Sequence, residues 1–192
     1  MNKAKPNLTR RLATSAIVAA AYAALTVALA PISYGAVQFR VSEALTVLPF
    51  FMPCTVWGLW IGCILANLYT GSVVDIVFGS LATLLAALLT ARIGKQGSTI
   101  KSRLLGCLMP VVFNAVIIGA VLTWGYEIRP FPEPLASFGF NALTVGLGEA
   151  GVLYLLGYTL LRQLPKFKFF REFVEKVNRK NASCAKDERR SS

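Results

Sequence analysis

What most constrains this chain is a succession of apolar runs, each bounded by a turn or a basic cluster, that fills most of its 192 residues. The runs near Leu12–Ile32, Val37–Met52, Thr55–Tyr69, Val73–Ala91, Leu104–Trp124 and Phe138–Leu164 predict six helices. In lipid the backbone must satisfy its own N–H and C=O groups, and a helix of about 20 residues crosses a hydrocarbon core of roughly 30 Å. The expected fold is therefore all-α: an integral membrane bundle of six transmembrane helices. The second and third runs are short and meet at Pro53, so a re-entrant pair is an alternative there.

Charge sets the expected orientation. The formal net charge of +11 would suit nucleic-acid binding if it covered a soluble surface, but the basic residues are clustered. Lys3, Lys5, Arg10 and Arg11 precede the first run, Arg92, Lys95, Lys101 and Arg103 flank one short break, and ten more follow from Arg162 onward. Clusters flanking apolar runs follow the positive-inside rule. Six crossings put all three clusters, and both termini, in the cytoplasm, and nucleic acid is not an expected partner. The resulting division is a basic N-terminus (1–11), a six-helix membrane domain (12–164) and a basic cytoplasmic tail (165–192). The tail alternates aromatic and basic residues over Lys166–Arg171, the pattern of an amphipathic helix on the anionic lipid of an inner leaflet. Residues 1–30 resemble a signal peptide, but the apolar stretch is too long and Pro31 follows the would-be cleavage site, so a retained first helix is expected.

Some chemistries are excluded. The chain has no histidine, and its four cysteines form no C-x-x-C pair, so neither a metal site nor a catalytic Ser/His or Cys/His set is expected. Gly94-Lys95-Gln96-Gly97-Ser98-Thr99 lacks the spacing of a nucleotide-binding P-loop. No cofactor is implied. A chain that moves a solute must then draw energy from an ion gradient or from a partner.

Polar residues inside the apolar runs mark the candidate site. An ionisable side chain at the bilayer centre costs about 2.5–3.5 kcal/mol on insertion scales, so such groups face a cavity or a partner. Arg40, Glu43, Asp75 and Glu149 are the charged candidates, and Asn67, Asn114 and Asn141 add amides. Counting 1.5 Å per residue from the run ends puts Asn114 and Glu149 near the midplane and the others in the outer half. That asymmetry predicts a polar pocket open to the outside. The alternative is interhelical hydrogen bonding with an Arg40–Glu43 pair at i, i+3. The outer segment Gly125–Ser137, with three prolines, reads either as a lid or as a stiffened connection.

The first run also carries Ala16, Ala20, Ala24 and Ala28 at every fourth position, which stacks them on one helix face. Small residues at this spacing allow close backbone approach in membranes. The face could dock a second membrane protein or pack inside the chain, as Gly58, Gly62 and Ala66 do on the third run.

Several motifs carry a resemblance. Ala30-Pro31-Ile32-Ser33-Tyr34-Gly35, Val37-Gln38-Phe39-Arg40-Val41-Ser42-Glu43-Ala44-Leu45, Gly62–Leu68, Asp75–Leu84, Pro110–Asn114 and Val145–Glu149 resemble the QueT group of queuosine-precursor transporters. These are substrate-binding S components of energy-coupling factor (ECF) transporters in bacterial cytoplasmic membranes. The resemblance covers about residues 12–162. It implies a six-helix subunit that binds a 7-deazaguanine from outside and docks on a transmembrane coupling protein carrying two cytoplasmic ATPase subunits. It assigns docking to Ala16, Ala20 and Ala24. Glu43, Asp75 or Glu149 would then read the ligand, with Asn67, Asn114 and Asn141 completing the hydrogen bonds and Arg40 positioning Glu43. Two other readings remain: an ion-gradient-driven secondary transporter using Asp75 or Glu149 as a proton relay, and a membrane assembly protein whose polar groups are structural.

Overall fold

Every regular element in the computed structural model is helical; the structure describes residues 6–33 and 39–178. The helices are α1 (Pro6–Ala28, extended by the single turn Ala30–Ser33), α2 (Val41–Phe50), α3 (Thr55–Leu68), α4 (Asp75–Lys95), α5 (Ile100–Gly125), α6 (Pro134–Lys166) and α7 (Lys168–Asn178). Part of the expected outer loop (34–38), Lys3, Lys5, Cys184 and the tail beyond 178 lie outside the described residues.

Four of these helices, α1, α4, α5 and α6, are long and apolar enough to cross a membrane. The other two expected spans are shorter than the sequence suggests. α3 has 14 residues and α2 only 10, wound as a 3₁₀ helix with Pro49 inside it. The tighter winding rises about 2.0 Å per residue, so α2 spans roughly 20 Å. Arg40 before it is extended, not helical. Irregular backbone at membrane depth survives only where protein surrounds it, and α2 is so surrounded. Ser42, Glu43, Ala44, Thr46, Val47, Pro49 and Phe50 are buried, and α1, α3, α4, α5 and α6 all pack on it.

Helix starts also moved from the expected positions, for local reasons. α5 begins at Ile100 because Thr99 and Ser102 cap each other: Ser102 N–H donates to Thr99 Oγ1 at 3.1 Å and Thr99 N–H to Ser102 Oγ at 2.9 Å. α6 begins at Pro134, whose fixed φ and missing N–H suit the first helical position.

Packing between helices rests on close backbone approach more than on exclusion of water, as expected in lipid. Val18 and Tyr22 of α1 meet Val56, Leu59 and Cys63 of α3 and Ala87 and Ala91 of α4. α3 comes so near α1 that a Cβ on Gly58 would lie 2.3 Å from the Ser15 carbonyl oxygen. Gly58→Ala is expected to push these backbones apart, at about 1–3 kcal/mol. A fall of about 5 °C in the detergent-solubilised melting temperature would register it; an unchanged melt would show that the α1–α3 seam is not closely packed. A second core, of Val47, Phe50, Cys107, Val152, Leu153 and Leu161, joins α2 to α5 and α6.

The ends of the bundle differ chemically. At one end Arg11, Lys95 and Asn178 line a common cleft, so the starts and ends of α1, α4 and α7 meet there. At the other, Tyr126 donates a hydrogen bond to Asp75 Oδ2 at 2.8 Å, tying the α5–α6 loop to the head of α4. α7 turns back across the basic end. Its Phe170, Phe173, Val174 and Val177 pack on Phe51, Met52 and Cys54 of the α2–α3 turn. The apolar face expected to lie on lipid is thus largely spent on protein.

Candidate functional site

The buried polar groups meet where α2 enters the bundle. Glu43 is wholly buried, and its Oε1 accepts hydrogen bonds from the Tyr22 hydroxyl of α1 and, at 3.5 Å, from Thr83 of α4. Thr83 Oγ1 also lies 3.4 Å from Cys63 Sγ and 3.2 Å from the Gly79 carbonyl, the alternative acceptors for its one hydroxyl hydrogen. Asn67 of α3 joins the same chain, its Nδ2 standing 3.5 Å from Cys63 Sγ and donating to the Asp75 carbonyl at 2.8 Å. That carbonyl begins a wide π turn, Asp75–Gly79; such turns displace the regular ladder and recur at functional sites. A second buried bond, Thr26 to Ser42 at 2.6 Å, fixes α2 against α1.

Glu149 approaches from α6, 1% exposed, with Asn114 of α5 beside it. Arg40, 4% exposed, directs its Nε to the Ser33 carbonyl at 3.4 Å, and its charge acts on both Glu43 and Glu149. Arg40 precedes the helix with extended backbone, so it flanks Glu43 and is not the first member of an i, i+3 pair on one helix. Glu149 stands 15 residues into α6, about 22 Å along a 33-residue helix, close to its midpoint. Glu43, held by Tyr22 and Thr83, lies near enough for its charge to act on Glu149.

This cluster is under-satisfied. Ser33 Oγ, Glu43 Oε2, Asn67 Oδ1, Asn114 Nδ2 and Glu149 Oε2 are buried and find no hydrogen-bond partner among the described residues. A buried polar atom left unpaired costs about 1–3 kcal/mol, so native proteins rarely keep several together without a use for them. Three of the five are acceptors on carboxylate or amide oxygens. Acceptor oxygens of Glu43, Asn67 and Glu149 and a donor of Asn114 are thus left without protein partners in the neighbourhood of Arg40. Phe39 offers an apolar wall, its ring so close to α6 that a Cβ on Gly151 would meet it at 3.1 Å.

Two expected site residues lie elsewhere. Asn141 donates to Thr123 Oγ1 at 2.9 Å and to the Ile128 carbonyl at 2.8 Å, bracing the α5–α6 loop. Asp75 is half-buried in an outer clasp with Tyr126, which also bonds Ser72. Partial burial raises the Tyr126 phenol above its ordinary pKa; the Ser72 hydrogen bond opposes this and the Asp75 carboxylate reinforces it. The proline-bearing loop is pinned further by Ile128 N–H to the Leu122 carbonyl at 2.8 Å and by Ser137 Oγ, which donates to the Phe131 carbonyl at 2.8 Å. It forms a braced connection.

Sequence reasoning missed Tyr22, Thr83 and Cys63. Tyr22 carried a signal, being the single aromatic residue of α1. Thr83 carried none, since threonine in a membrane helix commonly bonds its own i−4 carbonyl.

The alanine ladder faces outward. Ala16, Ala20, Ala24 and Ala28 are exposed, while the adjoining face, with Ala19 and Tyr22, packs inside. Ala16 and Ala20 form one wall of a groove of about 770 Å³ whose other wall is Trp57, Gly58, Ile61 and Leu65 of α3.

Comparison with known proteins agrees on the kind of molecule. The profile of the QueT transporter family matches residues 12–166. Over 82 residues the chain is 43% identical to the "Queuosine precursor transporter QueT" of Lactococcus lactis subsp. cremoris (strain MG1363). That alignment covers 42% of this chain and 48% of the relative, about half its length. No solved structure matches.

Proposed function

The chain belongs to the QueT transporter family, and on that premise we propose that it is the substrate-binding S component of an ECF transporter for queuosine precursors. It takes up 7-deazaguanines from outside the cell, across a bacterial cytoplasmic membrane that it crosses six times with both termini inside. The observation that carries this reading is the set of unpaired buried oxygens of Glu43, Asn67 and Glu149 around Arg40. A guanine-type edge presents a ring N–H and an exocyclic amine side by side, and a carboxylate accepts from both at once. An aminomethyl substituent, where present, adds a cation that a second carboxylate offsets. Glu149 or Glu43 takes these roles, Asn114 and Asn67 read the remaining polar atoms, and Arg40 holds the two carboxylates in place. Asp75 and Asn141 act at the outer end, fixing the α4 and α5–α6 segments around the entrance.

The exposed alanine face gives the subunit a surface for the transmembrane coupling protein, and the energy comes from that protein's two cytoplasmic ATPases. Mass spectrometry of small molecules retained by the purified solitary subunit tests the capture role. A 7-deazaguanine in stoichiometric amount is the expected result; none retained, with no saturable binding on adding it back, would remove the assignment. Uptake by cells given a protonophore but kept supplied with ATP tests the energy source. Continued uptake is expected, and its loss would favour an ion-gradient-driven carrier.

A further inference from the structure

At the basic end of the bundle is a cleft of about 400 Å³, apart from the capture site; it meets the alanine-face groove at Arg11, a residue lining both. Its walls are Arg11 of α1, Phe50, Phe51 and Pro53 of the α2–α3 turn, Gly94 and Lys95 of α4, and Asn178 of α7. The cleft is assembled from distant parts of the sequence, and two contacts hold it. Asn178 Nδ2 donates to the Phe51 carbonyl at 2.7 Å, anchoring the last described turn of α7. Gly94 lets α4 close on the turn, since a Cβ there would lie 2.1 Å from the Phe50 carbonyl oxygen. Any larger residue would hold Lys95 away from Arg11. α7 itself lies outside the segment matched by the family profile, which ends at residue 166.

The chemistry of the cleft is specific in sign. Arg11 and Lys95 are exposed at its mouth, and no carboxylate pairs with either among the described residues. Arg11 also reaches the Cys54 sulfur. The remaining lining is apolar or backbone. A cationic rim over an apolar floor, at the level where the helices leave the bilayer, complements a phosphate head group whose glycerol and upper chain carbons need a dry surface.

We propose that this cleft binds the head group of an anionic phospholipid from the inner leaflet, of the phosphatidylglycerol type, with Arg11 and Lys95 on the phosphate. The proposal rests on the cytoplasmic placement of the basic end, and on nothing concerning the purine site. By seating a lipid between α1, α4 and α7, it would make the packing of α7 depend on the lipid present.

The test uses the full-length chain purified in a neutral detergent and titrated with a fluorescent short-chain phosphatidylglycerol, with phosphatidylcholine of the same chains as control. Each basic residue near an anionic surface contributes a factor of about five, so Arg11→Gln with Lys95→Gln is expected to weaken phosphatidylglycerol binding about 25-fold. Phosphatidylcholine binding should not change, and the charge-keeping Arg11→Lys with Lys95→Arg should bind as wild type. Thermal unfolding of the same preparations, with a melting temperature equal to wild type, reports that the double variant is folded. Equal retention of both lipids by wild type, or unaltered phosphatidylglycerol binding in the double glutamine variant, would overturn the proposal. So would displacement by inorganic phosphate at the lipid's concentration, which would make the site one for a free anion. Loss of the coupling module by the glutamine variant with lipid binding intact would make the cleft a protein contact instead. Because the lipid titration itself contains neither purine nor ATPase, its failure leaves the capture reading standing, and the reverse also holds.

Discussion

Glu149→Gln is expected to weaken binding of a 7-deazaguanine by about a hundredfold or more, while leaving the ligand-free protein as stable as wild type or more so. The two halves of this expectation have one cause. Glu149 is 1% exposed and its Oε2 has no partner among the described residues. Without ligand, the buried carboxylate is a cost, and the amide, of nearly the same shape, reduces it. With ligand bound, the same oxygen accepts from an N–H donor that the amide nitrogen cannot satisfy. Truncating one partner of a buried, hydrogen-bonded charged pair typically costs about 2–5 kcal/mol, and about 2.7 kcal/mol is a hundredfold. Isothermal titration and thermal unfolding on the same preparation separate the terms. A structural carboxylate would give the opposite pattern, a lower melting temperature with affinity little changed, and that result would remove Glu149 from the site.

The second large effect is expected at the other functional surface. Ala20→Trp should abolish uptake and association with the coupling module, while the solitary subunit binds its ligand with wild-type affinity. Ala20 is exposed on α1 between Ala16 and Ala24, and it lines the groove against α3. A smooth alanine face lets another helix come close enough for backbone packing. An indole in its centre holds a partner helix off by several ångströms, so contact is lost along the whole face and not at one residue. The substitution points away from Tyr22, on the buried side of the same helix, and from Glu43 of α2, which Tyr22 holds. Co-purification of the coupling subunits and uptake in cells would both fall to background. Normal transport by the variant would show that α1 is not the docking face, and ordinary lipid would then be its neighbour.

Much of this protein could be read from its residues in order. The long apolar runs fixed α1, α4, α5 and α6 because a helix in lipid needs only local hydrogen bonds and length, both of which are written in consecutive residues. The basic clusters anticipated that Arg11, Lys95 and the end of α7 share one end. Glu43, Asn67, Asn114 and Glu149 stood out because polar side chains in apolar runs are costly wherever they point. The alanine face followed from spacing alone.

The rest depended on what packs against what. α2 is a short 3₁₀ helix because neighbours on every side satisfy and enclose it, and nothing within Val41–Phe50 announces that enclosure. The chain is extended at Arg40 and turns helical only at Val41, which counting residues along a helix assumed from Val37 could not reveal. Asn67 and Asn141 are the same residue type in similar apolar contexts, yet one keeps an unpaired oxygen beside the carboxylates and the other braces a loop. Periodicity shows that the alanines share a face, but only the position of α3 shows that the face is left uncovered. The sequence by itself determined which segments are helical, how the charged ends divide and which residue types bear the chemistry, since these follow from local hydrogen bonding and solvation. The tertiary structure alone decided which polar atoms remain unpaired and which face remains open, because both are set by neighbours distant in the chain.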